Sequence, residues 1–157
     1  MQVYNNANLN QKHRNGVIAI GNFDGIHLGH QKVINEAKNK ARKNKLPFGL
    51  ITFEPVPVMF FDKKIKSHRI NSLKQKKTQL KKLKLDFLII IKFNKKFSSL
   101  TAEKFIKKII HKKTQCRVLY VSENFRFGFK RKGNIKMLKR FEKIFNYKNI
   151  ITKPLTI

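Results

Sequence analysis

The sequence predicts an α/β protein, a Rossmann-like three-layer sandwich on a mostly parallel sheet of about five strands. Three observations predict it. Apolar runs of strand length alternate with lysine-rich amphipathic stretches of helix length along the whole chain, which is how βαβ units are written. The apolar runs are continuous rather than alternating, as in the segment DFLIIIK at 86–92; both faces of such strands must be buried, and a parallel sheet between two helix layers buries both. Finally, 157 residues with 41% apolar content and 14 Phe suffice for one core without disulfide or metal staples.

Taken in order, strands are expected at 16–21 (GVIAIG), 47–53 (PFGLITF), 86–92, 116–121 (CRVLYV) and 149–153 (NIITK). Helices are expected between them at 28–43, 72–84, 101–113 and 134–146. In the first helix Val33, Ile34, Ala37 and Ala41 recur at spacings of three and four, one apolar stripe opposite a lysine face. Ser72 followed by Gln75 forms a capping-box pattern, and Thr101 with Glu103 in the next turn marks another helix start. Two long connections, 54–71 and 122–133, follow the carboxyl ends of predicted strands, where open α/β sheets hold their ligands. No internal repeat, low-complexity tract or interdomain linker divides the chain.

The formal net charge is +29, from 37 Lys+Arg against 8 Asp+Glu. Such a charge suggests a polyanionic partner. The excess lysine is instead scattered through every segment together with abundant Asn, Ile and Phe, the signature of codons rich in A and T. Nucleic acid is therefore not the expected partner, although the field draws in small anions. The single cysteine, Cys116, excludes an intramolecular disulfide and reads as a small buried apolar residue. The first fifteen residues lack an apolar signal core, and the longest apolar run, Phe87 to Ile91, is far short of the ~20 residues of a membrane span. The expectation is a soluble, cytoplasmic protein with no membrane partner.

The chemistry is concentrated at the first strand-to-helix junction, GNFDGIHLGH from Gly21 to His30. Gly21, Gly25 and Gly29 permit a tight turn and close backbone approach to a ligand, and the free N–H groups of a helix start attract phosphate. His27 and His30, three residues apart across the helix entry, can lean toward one bound anion. A zinc site is disfavoured, because helical zinc ligands are usually spaced four apart and no third ligand is evident. His13, His68 and His111 read as structural. Asp24, the only carboxylate of this loop, either holds Mg²⁺ or shapes the turn. In the two later loops Phe53, Phe60, Phe125 and Phe127 offer apolar ring faces, and Arg126 and Arg131 offer forked donors to phosphate.

His27-Leu28-Gly29-His30 matches the HxGH signature of the nucleotidyltransferases, and the longer string GNFDGIHLGHQ resembles bacterial FAD synthetase in particular. Thr52-Phe53-Glu54-Pro55-Val56-Pro57 resembles that family's TFEPHP, and Glu123-Asn124-Phe125-Arg126-Phe127-Gly128, with Arg131 and Gly133, resembles its (D/N)FRFG…R.G segment. The likeness runs from about residue 16 onward. It implies FMN adenylyl transfer: the terminal phosphate of FMN attacks the α-phosphorus of ATP, giving FAD and pyrophosphate, with Mg²⁺ accompanying ATP.

The same resemblance implies the site. His27, His30 and Asn124 are the expected catalytic residues, with Asn124 near the nucleotide and its Mg²⁺. Gly21, Phe23, Asp24, Gly25 and Gly29 join the two histidines around the nucleotide. Asn22, Phe53, Glu54, Pro55, Pro57, Phe125, Arg126, Phe127, Gly128 and Arg131 are expected around the flavin. Three departures from the family pattern stand out. Val56 replaces a histidine on the expected flavin side. Ser122 replaces a glycine, at a position where a positive φ would strain it. Nothing after Ile150 matches the family's Ser-Ser-Thr-x-x-Arg signature, and the riboflavin kinase module of the bifunctional enzymes is not seen. The chain is thus expected to be a nucleotidyltransferase domain incomplete at its C-terminus, with little or no activity by itself.

Overall fold

In a computed structural model, which describes residues 1–23, 26, 28–61 and 72–153, six strands form one sheet in the order β1-β4-β3-β2-β5-β6. They are β1 (Gln2–Tyr4), β2 (Val17–Ile20), β3 (Phe48–Glu54), β4 (Phe87–Lys92), β5 (Val118–Ser122) and β6 (Lys148–Thr152). Every pairing is parallel. The five expected strands are all present, within two residues at each end. The sixth, β1, is a three-residue edge strand in a polar stretch, with only Tyr4 buried. Its pairing is set by β4 and not by local apolar periodicity.

The strands alternate faces as the continuous apolar runs require. Ile18, Ile20, Ile51, Phe53, Ile89 and Ile91 face one core, while Val17, Ala19, Leu50, Leu88 and Ile90 face the other. Helix α1 (Leu28–Lys43) covers the second face with Val33, Ile34, Ala37 and Ala41, the stripe read from the sequence. Its bounds coincide with the expected helix. On the other face, α5 (Ala102–Phe105) continues as a π-helical segment, Ile106–Lys113. Thr101 caps it by accepting a hydrogen bond from the Lys104 N–H.

Shorter helices complete the layers: α2 (Pro57–Phe61), α3 (Leu73–Lys81), α4 (Lys95–Ser98), α6 (Ile135–Arg140) and α7 (Glu142–Phe145). The Ser72–Gln75 capping box at α3 is formed in both directions. The helix expected over 134–146 is broken at Phe141, which leaves the helical region and separates α6 from α7. Ser122 ends β5 as strand, paired with Thr152, so the expected strain of a positive φ does not arise there.

Cys116 is buried, and its thiol, which donates to the Val118 carbonyl, is pushed up to about 12 by that burial. It is an inert core residue. His111 is half-buried against Phe145, with Nδ1 3.2 Å from the Phe145 carbonyl oxygen. His68 lies outside the described residues.

His13 is buried beneath β1. Its Nδ1 lies 2.7 Å from the Tyr4 hydroxyl, and its ring stacks on Phe87 at 5.0 Å. Burial, then the charge of Lys12, hold its pKa below the ordinary 6.5, with Asp86 partly opposing. The unfolded chain therefore takes up a proton before the folded one does. The stability tied to neutral His13 is complete above about pH 6.5 and is lost as pH falls through the lower folded value. Urea midpoints at pH 7.5 and pH 5.5 should fall more steeply for the wild type than for His13→Gln; equal slopes would remove His13 as the source.

Candidate functional site

Successive strands β2, β3 and β4 are laid down in one direction, after which the chain returns to place β5 on the opposite side of β2. The loops leaving β2 and β5 therefore diverge, and a crevice opens between them at the carboxyl ends of the strands. A cavity of about 660 Å³ occupies that crevice, within the range of small-molecule and cofactor sites.

The segments that follow β2, β3, β4 and β5 meet there. After β2, Gly21, Asn22 and Phe23 form one wall. Gly21 N–H donates to the Ile51 carbonyl at 3.1 Å, and a side chain at Gly21 would stand only 3.2 Å from the Phe23 ring. Phe23 is buried and adopts a φ of 49°. It meets His30 edge to face, with ring centroids 5.4 Å apart. His30, in the first turn of α1, is half-buried and faces the cavity. Asp24, Gly25 and His27 lie outside the described residues. Gly29 belongs to the first turn of α1 and, unlike its neighbour, does not line the cavity.

After β3, Phe53 and Pro57 reach the cavity, whereas Glu54 and Pro55 do not line it. Glu54 instead ends β3, and its carbonyl accepts from the Phe93 N–H at 3.0 Å. Val56 is buried at 3% exposure away from the wall, so the position occupied by histidine in the family points into the protein interior here. After β5, Asn124, Phe125, Arg126, Phe127, Gly128 and Arg131 all line the cavity. Asn124, Arg126 and Arg131 are exposed, and Phe127 is buried beneath them.

The cavity is lined by more aromatic rings than the motifs contain. Phe53 contacts Phe93 at 6.1 Å and Phe97 at 5.8 Å; Phe97 contacts Phe105 at 6.1 Å; Phe105 contacts Phe127 at 5.4 Å; and Phe127 stacks on Phe125 at 5.5 Å. Phe61, 66% exposed, stands at the wall and touches Phe93 at 5.8 Å. Phe60 packs behind it, against the same ring at 5.3 Å. The result is a continuous apolar, polarisable surface in the same cavity as the cationic and amide groups. Such a combination suits a ligand that carries both a flat ring and anionic groups. Phe93 and Phe97 were not among the expected site residues. Their spacing of four, at the start of a short helix after β4, was the available signal.

The loop after β5 is held by its backbone. Phe127 and Gly133 pair in an isolated antiparallel bridge, the Phe127 N–H donating at 3.2 Å and the Gly133 N–H at 2.8 Å. Gly128 takes a φ of 77°, and a Cβ there would lie 2.6 Å from the backbone of Ala102. This contact seats the loop on the start of α5.

The FAD synthetase family model matches residues 9–157. The bifunctional riboflavin kinase/FMN adenylyltransferase of Buchnera aphidicola subsp. Schizaphis graminum is 41% identical over 143 residues, which are 91% of this chain and 46% of that protein. The protein of the same description from Escherichia coli strain K12 is 34% identical over 134 residues, 85% of this chain and 43% of its own length. The chain thus spans somewhat less than half of these curated relatives. A solved structure from Streptococcus pneumoniae, described as a macrolide-efflux protein, superposes with a TM-score of 0.82 at 26% identity, covering 99% of this chain and 52% of that one. Pantoate–β-alanine ligase from Francisella tularensis shares the fold, with a TM-score of 0.60 at 16% identity over 100% of this chain and 68% of its own.

Gly128→Ala combines a left-handed backbone with a clash against main chain that cannot turn aside. It should cost about 2–4 kcal/mol, a fall in Tm of roughly 5–15 °C in thermal denaturation. A melting temperature equal to that of the wild type would show that the loop is not seated on Ala102.

Proposed function

Because the chain belongs to the FAD synthetase family, we propose that its switch-point cavity binds ATP and FMN for adenylyl transfer. The carrying observation is the convergence in one cavity of His30, Arg126 and Arg131 with a wall of phenylalanine rings. Cationic and hydrogen-bonding groups meet the phosphates, and the rings meet the isoalloxazine. In this reading a phosphate oxygen of FMN attacks the α-phosphorus of ATP. The bond from that phosphorus to the bridging oxygen breaks, and its electron pair leaves with pyrophosphate. No protein nucleophile takes part, so the protein's work is alignment of the two phosphates and stabilisation of developing charge.

Each group has a role on that scheme. The α1 N-terminus and His30 hold the triphosphate, joined by His27 on the strength of the HxGH signature. Loss of one preorganised donor of this kind costs ~10²–10³ in rate. Asp24, Gly25 and Gly29 shape the entry to that helix. Arg126 and Arg131 hold phosphate, while Phe53, Phe125 and Phe127 form the flavin side, with Asn22 and Pro57 at its margin and Glu54 and Pro55 supporting the second loop from outside the cavity.

Mg²⁺ binds few protein ligands and keeps water and phosphate oxygens around it. The described cavity residues Asn22, Ser98, Ser122 and Asn124 carry neutral oxygen donors, a set that fits an ion arriving on the triphosphate. Asn124 is the residue assigned to it, and the ion would screen triphosphate charge. The same reading places the protein in the cytoplasm, where its substrates are found. Among the described residues no helix is long and apolar enough to cross a membrane.

Titration of FMN with the 157-residue chain tests the flavin side. Stacking on the Phe wall should produce saturable quenching of FMN fluorescence, and Phe125→Ala should weaken binding about 5–150-fold, the ~1–3 kcal/mol of a lost ring stack. An unchanged emission at millimolar protein would rule out the flavin assignment, leaving adenylyl or cytidylyl transfer to another phosphate within the HxGH group.

A further inference from the structure

The described residues hold one fully buried lysine. Lys76 of α3 has 0% exposure, a rare state for lysine that demands hydrogen-bond acceptors. Its Nζ donates to the Asn22 carbonyl at 2.6 Å and to the Thr52 hydroxyl at 3.1 Å. The Thr52 hydroxyl in turn donates to the same Asn22 carbonyl at 2.9 Å. Two elements far apart in sequence, α3 and β3, thus grip one peptide of the loop that follows β2. The next residue, Phe23, has a φ of 49°, a conformation that persists for a bulky residue only where its surroundings over-determine it.

The orientation of that peptide has a direct consequence. The only cis peptide bond described is Glu54–Pro55, so the Asn22–Phe23 peptide is trans and its C=O and N–H point in opposite directions. Holding the Asn22 carbonyl on Lys76 turns the Phe23 N–H away from Lys76, in a loop whose residues Gly21, Asn22 and Phe23 line the cavity.

We infer that Lys76 is a positioning residue: through the Asn22 carbonyl it holds the Phe23 amide as a fixed donor to a bound nucleotide phosphate. The ligand in this inference rests on the adenylyl-transfer reading; the peptide anchoring stands apart from it.

Two variants of the whole chain test this. Lys76→Met removes the donor at similar length. Thr52→Val leaves the Lys76 amine in place and removes the shared hydroxyl, so it separates anchoring from the loss of the lysine side chain and decides the matter if Lys76→Met does not fold. Hydrogen–deuterium exchange compares residues 18–23 with strand residues 87–92, and calorimetry measures affinity for α,β-methylene-ATP with Mg²⁺ and, separately, for FMN. The expected result is exchange raised ~10-fold at 18–23 with 87–92 unchanged, and nucleotide affinity weakened ~10-fold with FMN affinity within about twofold, the effect of Thr52→Val being smaller and in the same direction. Exchange raised equally in both segments, or both variants matching the wild type at 18–23, would overturn the inference. A wild type that binds neither ligand would refute the adenylyl-transfer reading, and the exchange comparison would still decide whether Lys76 anchors the peptide.

Discussion

Parallel pairing is the constraint from which the rest of this structure follows. A parallel neighbour cannot be reached by a hairpin, so each strand must be followed by a crossover that packs on one face of the sheet. Here the chain builds outward from β2 through β3 and β4, then returns to set β5 on the other side of β2. At that reversal the two outgoing loops cannot cover each other. The crevice between them is a consequence of strand order alone, and the chemistry of the site is what the sequence places along its rim.

The crevice is asymmetric in composition. Part of its lining is a run of phenylalanine rings from Phe61 to Phe125, with successive centroids 5.4–6.1 Å apart, an apolar surface of low local dielectric. His30, Arg126 and Arg131 line the same cavity, and apolar surroundings strengthen the attraction of a cationic side chain for an anion. The overall charge of +29 adds a long-range pull on any anion, one that salt screens. It contributes to encounter but not to discrimination, since lysine is spread over every segment. Discrimination has to come from the cavity, where few cations and many rings coincide.

Some of this was legible in the residues and some was not, for identifiable reasons. Helix α1 was legible to its ends because one apolar stripe and one lysine face satisfy a 3.6-residue period. Five strands were legible because burial on both faces leaves a continuous apolar run. Strand β1 was not, because an edge strand of three residues with one buried side chain carries too little pattern. The break at Phe141 escaped for a related reason, since the apolar period continues through it while the backbone does not. In the site, the glycines, arginines and FRFG rings were marked by their loop position, whereas Phe93, Phe97 and Phe105 looked like ordinary core residues in a chain with 14 Phe. Lys76 lay among a helix's lysines with nothing to distinguish it.

The sequence by itself determined the layer architecture, the helix caps and the three segments of the family signature, because each depends on residues within a turn or two of one another. Tertiary structure alone decided that β5 lies beside β2, which rings join the wall, that Val56 faces inward, and that Lys76 reaches the Asn22 carbonyl. Those outcomes depend on contacts between residues tens of positions apart, and such contacts have no local period from which they could be read.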